Sequence, residues 1–192
     1  MGEANRPNRK VIGAALYLSS DAPVVIRREI EIFCPPEVVW EWIRRVDLWS
    51  DWNSEISSSW MIDSEAVGAR FKWRRKLLGV RGTITSLRPG REWSWVGNYR
   101  KIRVTQNFYI DGDFRSTRLS TIAVFEGPPA RLLSPLLRWY GSRWCEIWLG
   151  TLKTRLESQH ERGRSGKGGG SRSKISTLRQ AKAGRERRRI GF

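Results

Sequence analysis

The chain has 192 residues, 39% apolar and 11% aromatic with 11 tryptophans, enough for one domain with a real core and flanking segments. Its net charge of +17 is uneven: Gln159–Phe192 holds eleven Lys/Arg against two Asp/Glu, whereas Pro23–Ser158 holds twenty-two against fifteen. Cys34 and Cys145 give neither a disulfide framework nor a metal spacing, and the single histidine, His160, follows the body, which excludes histidine metal sites and a Ser-His-Asp triad there.

No run approaches the ~20 apolar residues of a membrane span. Val11–Leu18 is short for a signal peptide, and Ser19-Ser20-Asp21 is a poor cleavage site, so the expected location is cytoplasmic.

Met1–Ala22 reads as an N-terminal extension. Val24–Phe33 reads as the first strand, with Ile30 and Ile32 alternating cleanly with Glu29 and Glu31. Pro35-Pro36-Glu37 ends it and opens a helix over Glu37–Arg45. Proline suits a first turn, and Glu37 complements the helix dipole. Asp47–Asn53 sets Trp49 and Trp52 among turn formers, either as a packed loop or as a lid over a cavity mouth.

A run of strands follows. Arg70–Arg75 alternates Phe71 and Trp73 with Arg70, Lys72 and Arg74. Leu78–Gly82 predicts a tight turn or bulge, and Gly82–Leu87 the returning strand. Glu92–Gly97 places Trp93, Trp95 and Gly97 on one face. Lys101–Ile110 places Ile102, Val104, Gln106, Phe108 and Ile110 on one face. Asp111-Gly112 is a hairpin signal, and Arg115–Glu126 is the last strand. Turns every eight to twelve residues argue an antiparallel sheet rather than βαβ units.

Leu136–Glu157 predicts a long amphipathic helix. Leu137, Tyr140, Trp144, Trp148 and Thr151 recur at steps of three and four, widened by Ile147 and Leu152. Ser142, Glu146, Lys153 and Glu157 fall opposite. At about 1.5 Å per residue it runs roughly 30 Å, so its aromatic face needs a broad partner, which the strands supply. The fold class is therefore α+β, with helices on one face of a curved antiparallel sheet. Gln159–Phe192 has few, unpatterned apolar residues and reads as a basic disordered tail. The domain expectation is an extension over 1–22, a body over 23–158 and the tail over 159–192.

Pro35-Pro36-Glu37-Val38-Val39-Trp40-Glu41, Asp47-Leu48-Trp49-Ser50-Asp51-Trp52-Asn53 and Gly68-Ala69-Arg70-Phe71-Lys72-Trp73 together resemble the START/Bet v 1-like (SRPBCC) superfamily, in its polyketide cyclase/dehydrase-like branch. Trp93-Ser94-Trp95-Val96-Gly97 and the terminal helix look similar too. The resemblance spans about Val25–Glu157. It implies a helix-grip fold, a bent antiparallel sheet wrapped around the last helix with an internal apolar cavity. It also implies binding of a lipid, polyketide or other hydrophobic small molecule, sometimes with catalysis. Where many relatives carry an inward histidine this chain has Gln106, and where they often carry a glutamate it has Ala123.

Candidate ligand-binding residues are Trp73, Trp93, Trp95, Gln106, Phe108, Tyr140, Trp144 and Trp148; equally, aromatics of this kind fill cores. Gln106 is either a ligand hydrogen-bonding group or a satisfied core amide. No catalytic residue, metal ligand or cofactor is assigned, because glutamine does not titrate and the ordinary tyrosine pKa near 10 is far from neutral. The preferred function is binding or transport of a hydrophobic small molecule. The alternatives are a polyketide cyclase/aromatase-type enzyme orienting carbonyls with Gln106 and Tyr140, and a regulatory module contacting RNA or the ribosome. Arg70, Lys72, Arg74, Arg75, Lys76 and Arg81 form a basic patch, a solvated face or an RNA or membrane contact. The basic tail is a candidate for weak nucleic-acid or anionic-membrane contact through counterion release, without base stacking.

Overall fold

The computed structural model describes residues 22–76 and 78–165, with side chains as far as residue 159. The expectations for residues 1–21 and 166–192 lie outside the described residues. The elements are β1 (Val24–Ile32), α1 (Pro36–Arg44), a 3-10 turn (Val46–Leu48), α2 (Trp49–Trp52), β2 (Ser58–Met61), β3 (Arg70–Arg75), β4 (Leu78–Arg88), β5 (Glu92–Tyr99), β6 (Ile102–Gly112), β7 (Thr117–Glu126), α3 (Pro128–Leu132) and α4 (Ser134–Ser165).

The seven strands form one antiparallel sheet in the order β1-β7-β6-β5-β4-β3-β2, so the first strand lies beside the last. A register shift between Ile84 and Ser86 in β4 adds bend to the sheet. With α4 against the inner face, this is the helix-grip α+β fold. Across that face, Trp93 pairs with Phe108, and Phe108 with Thr121.

Three expectations are corrected. Leu78–Gly82 is not a turn but the first half of one continuous β4; Arg75 of β3 pairs with Leu78, and Lys76 next to Arg75 has φ 49°. Gly82 is needed there because the Phe71 ring lies on it, directly across the β3–β4 pairing. Asp111-Gly112 is not the hairpin tip, because β6 runs through Gly112. The turn is two residues later, where Asp113 Oδ1 accepts the amides of Arg115 (2.7 Å) and Ser116 (3.1 Å). β2 has no alternating apolar pattern and is missing from the sequence reading; it is a half-buried strand paired with β3.

The buried stripe of α4 is also rotated from the predicted one. Gly141, Cys145, Trp148, Leu149, Leu152 and Leu156 are buried, whereas Tyr140, Trp144, Ile147 and Thr151 are half-buried. Gly141 explains the shift. A Cβ there would collide with Ile26 Cδ1 and lie 3.1 Å from the Phe125 ring, so the helix backbone closes onto β1 and β7 at this point.

The predicted polar side of the helix has its own structural job. Arg138 Nη2 donates to Pro23 O (2.9 Å), and Lys153 Nζ donates to Glu31 O (2.6 Å). The Phe33 amide donates to Glu157 Oε1 (2.9 Å), and Arg28 pairs with Glu146 (3.1 Å). Arg138, Lys153 and Glu157 thus satisfy backbone groups along β1 and at its two ends, which an edge strand otherwise leaves open to wrong pairing.

Candidate functional site

Between the sheet and α4 the side chains form one continuous chain of aromatic rings. From one end, Trp52 meets Trp148 (centroids 4.9 Å), Trp148 meets Trp49 (6.0 Å), and Trp49 meets Trp93 (5.4 Å). Trp93 meets Phe71 (5.8 Å), Phe71 meets Trp95 (5.6 Å), Trp95 meets Trp73 (6.3 Å), and Trp73 stacks on Trp144 (5.4 Å). Phe108 fills the floor against Trp148 (4.6 Å). Most of these contacts are edge-to-face, the arrangement the ring quadrupole favours.

Of the eight predicted site residues, Trp73, Trp93, Trp95, Gln106, Phe108 and Trp148 are buried, and Tyr140 and Trp144 are half-buried at the rim. The rim is held by Arg75. Its guanidinium lies 5.0 Å from the centre of the Tyr140 ring and 5.2 Å from that of Trp144, and it forms an ion pair with Glu55. Trp49 and Trp52 are packed core residues rather than a loose lid; Trp49 Nε1 donates to Ile43 O (2.9 Å).

Gln106 is a bonded core amide. Its Nε2 donates to Thr121 Oγ1 (3.3 Å), which donates to Asn107 O (3.1 Å). Gln106 and Ala123 are direct partners on β6 and β7, so the two positions lacking the expected histidine and glutamate lie side by side. Gly97 lies in regular strand pairing. It pairs in register with Gly82, under Trp95 Cζ3 and the Arg81 carbonyl.

The interior has an imbalance of hydrogen-bonding groups. Among the described residues, five buried nitrogens have no acceptor: Nε1 of Trp52, Trp73, Trp93 and Trp95, and Nδ2 of Asn53. The four indoles belong to the same chain of rings. Each unmet buried donor costs roughly 1–3 kcal/mol. Trp52 and Asn53 escape a sequence reading because each is indistinguishable from an ordinary packing or turn residue. Glu55 carries no signal at all, since its role depends on Arg75 twenty residues away.

Burial pushes the thiol of Cys145 up to about 12 and that of Cys34 to about 11, the latter with help from Glu157, so both remain protonated near neutrality. Both are free thiols. Among the described residues no group of three or more His, Cys, Asp or Glu could hold a metal ion. Among the same residues no helix is long and apolar enough to cross a membrane.

Comparison with known proteins gives a consistent result. The family profile described as "Polyketide cyclase / dehydrase and lipid transport" matches residues 23–157. No curated protein sequence matches the chain. Among solved structures, a START superfamily protein from Mycobacterium smegmatis is similar at 14% identity and TM-score 0.60, over 70% of this chain and 98% of that one. A hypothetical protein from Helicobacter pylori is similar at 14% identity and TM-score 0.64, over 81% and 98%. A protein from Thermus thermophilus is similar at 17% identity and TM-score 0.60, over 71% and 99%. The fold is thus shared with a START superfamily protein, the matched profile covers the whole sheet and the packed length of α4, and the chain therefore belongs to the polyketide cyclase/dehydrase and lipid transport family.

Proposed function

We propose that the chain binds a hydrophobic small molecule, of the lipid, polyketide or aromatic kind, between the sheet and α4. The binding domain in this reading is 23–158, flanked by the segments 1–22 and 159–192. The observation that carries it is the set of buried indole donors without acceptors on a continuous aromatic surface. A core built only for packing would use Phe or Leu there and avoid the cost of unmet N–H groups. A flat apolar guest bearing ring carbonyl oxygens suits both features, lying against rings and accepting from Trp73 and Trp95. Displacing the half-buried Trp144 from Trp73 gives such a guest its way in.

The reading favours a carrier over a catalyst. Among the described residues the buried polar side chains are Asn53, Ser94, Gln106, Thr117 and Thr121, none of them an acid or a base near neutrality. At the rim, Tyr140 offers its ring face to Arg75, with the guanidinium 5.0 Å from the ring centre.

Native mass spectrometry of freshly purified protein should reveal a co-purified apolar compound. Titration with anthraquinone-2-carboxylate and anthracene-2-carboxylate, which share the carboxylate and differ in the two ring carbonyls, isolates the carbonyl-acceptor requirement. The quinone should bind about tenfold more tightly, the worth of one good hydrogen bond. Equal affinities would remove the acceptor argument, and binding of neither compound would remove the reading.

A further inference from the structure

Among the described residues, four exposed large apolar side chains fall within eight positions: Leu132 (83% exposed), Leu133 (40%), Leu136 (57%) and Trp139 (69%). They lie at the end of α3 and the start of α4. Leu136, Trp139 and Arg143 step by three and four along α4 and so share one face, turned away from the buried face of Gly141, Cys145 and Trp148. Over Gly127–Cys145 there is no Asp or Glu, and there are three arginines, of which Arg138 already donates to Pro23 O (2.9 Å), so that Arg131 and Arg143 are the ones that serve the patch. The flanking acids are occupied: Glu126 pairs with Arg103 (3.8 Å) and Glu146 with Arg28 (3.1 Å).

We propose that this patch docks the protein on the surface of an anionic phospholipid membrane. The chemistry matches on both counts. Leucines and an indole insert among acyl chains near the headgroups, and arginines around them pair with phosphate oxygens. A protein partner would need a complementary acidic rim, whereas a lipid surface supplies uniform negative charge around an apolar interior. The patch differs from the basic hairpin, where Arg70 is already bonded to Asp63 (2.8 Å) and Arg75 to Glu55. Docking does not depend on the ligand reading, although Tyr140 and Trp144 follow Trp139 within about a turn and a half, so ligand exchange would occur at the bilayer surface.

The test is cosedimentation of the full chain with phosphatidylcholine vesicles containing about one-third phosphatidylglycerol, and with phosphatidylcholine alone. The wild type should bind the anionic vesicles, more weakly at high salt. Leu136→Ser/Trp139→Ser should lower the partition coefficient about tenfold, while Trp139→Phe should retain binding. Vesicles with brominated acyl chains should quench part of the wild-type tryptophan fluorescence, and that part should vanish in Trp139→Phe. This second measurement decides the matter if the double variant folds poorly. The proposal is overturned if the wild type does not bind, or if the double variant binds as well as the wild type, which would assign binding to the basic tail. It is also overturned if the wild type is a dimer that the double variant dissociates, which would assign the patch to a second copy.

Discussion

The indole rings of Trp73 and Trp144 stack with their centroids 5.4 Å apart and their planes within 11° of parallel. One ring comes from β3 and the other from α4, so this contact joins sheet and helix at the rim of the aromatic interior. The Arg75 guanidinium lies 5.2 Å from the centre of the Trp144 ring and holds it from the solvent side. Trp144→Ala should cost about 1–3 kcal/mol in urea unfolding, since the ring is half-buried and stacking adds to its area burial. It should also speed association of anthraquinone-2-carboxylate in stopped-flow fluorescence, whereas Trp144→Phe should restore most of both properties.

Two glycines on α4 should respond oppositely to alanine. At Gly141 the new methyl collides with Ile26 Cδ1 and crowds Phe125, an overpacking cost of about 1–3 kcal/mol that the helix-propensity gain of about 1 kcal/mol offsets only in part, so Gly141→Ala should destabilise by up to about 2 kcal/mol. At Gly150 a Cβ meets nothing within 4 Å, so Gly150→Ala should stabilise by up to about 1 kcal/mol through helix propensity. Paired thermal or urea melts compare them directly, and equal signs would contradict the geometry.

Glu157 accepts the Phe33 amide at 2.9 Å and pairs with Lys153 at 2.9 Å, tying the helix to the end of β1. Glu157→Ala should destabilise by about 1–2 kcal/mol, because the bond to Phe33 is charge-assisted but partly solvated. Hydrogen exchange should quicken at Phe33 while the amides of β5 and β6 stay protected.

Stability should decline at both pH extremes for separate reasons. Hydrogen bonds from the Arg70 guanidinium and amide hold Asp63 at about 2, below its ordinary 3.8. The folded state therefore binds the proton less readily, and this contribution is present above pH ~4 and lost as pH falls toward ~2. Asp63→Asn should flatten the melting temperature across that acid window. The thiols behave in the opposite sense. Burial lifts Cys145 to about 12 and Cys34 to about 11 from an ordinary 9.0, so their contribution is full below pH 9 and declines above it. Cys34→Ala/Cys145→Ala should remove part of the alkaline decline, and native thiols should react with Ellman's reagent at about pH 8 far more slowly than denatured ones.

The amino-acid sequence by itself determined the fold class and the order of the main elements, though not β2. Alternation over Arg70–Arg75 and Glu92–Gly97, prolines at Pro35-Pro36 and Gly127-Pro128-Pro129, and a long apolar helical period are local patterns, and local patterns follow from backbone geometry. It also placed the aromatic residues that face the interior, because side chains on a strand alternate with a period of two. What the tertiary structure decided is everything that depends on a partner distant in the chain. Gly141 sets the rotation of α4, since only contact with Ile26 and Phe125 tells a close-approach glycine from an indifferent one such as Gly150. Lys153 and Glu157 read as a solvated helix face, yet the free edge of β1 takes their hydrogen-bonding groups. The indole N–H groups read as ordinary core tryptophans, and whether each meets an acceptor is a matter of ångströms across the fold: Trp49 finds the Ile43 carbonyl, and Trp52, Trp73, Trp93 and Trp95 find none among the described residues.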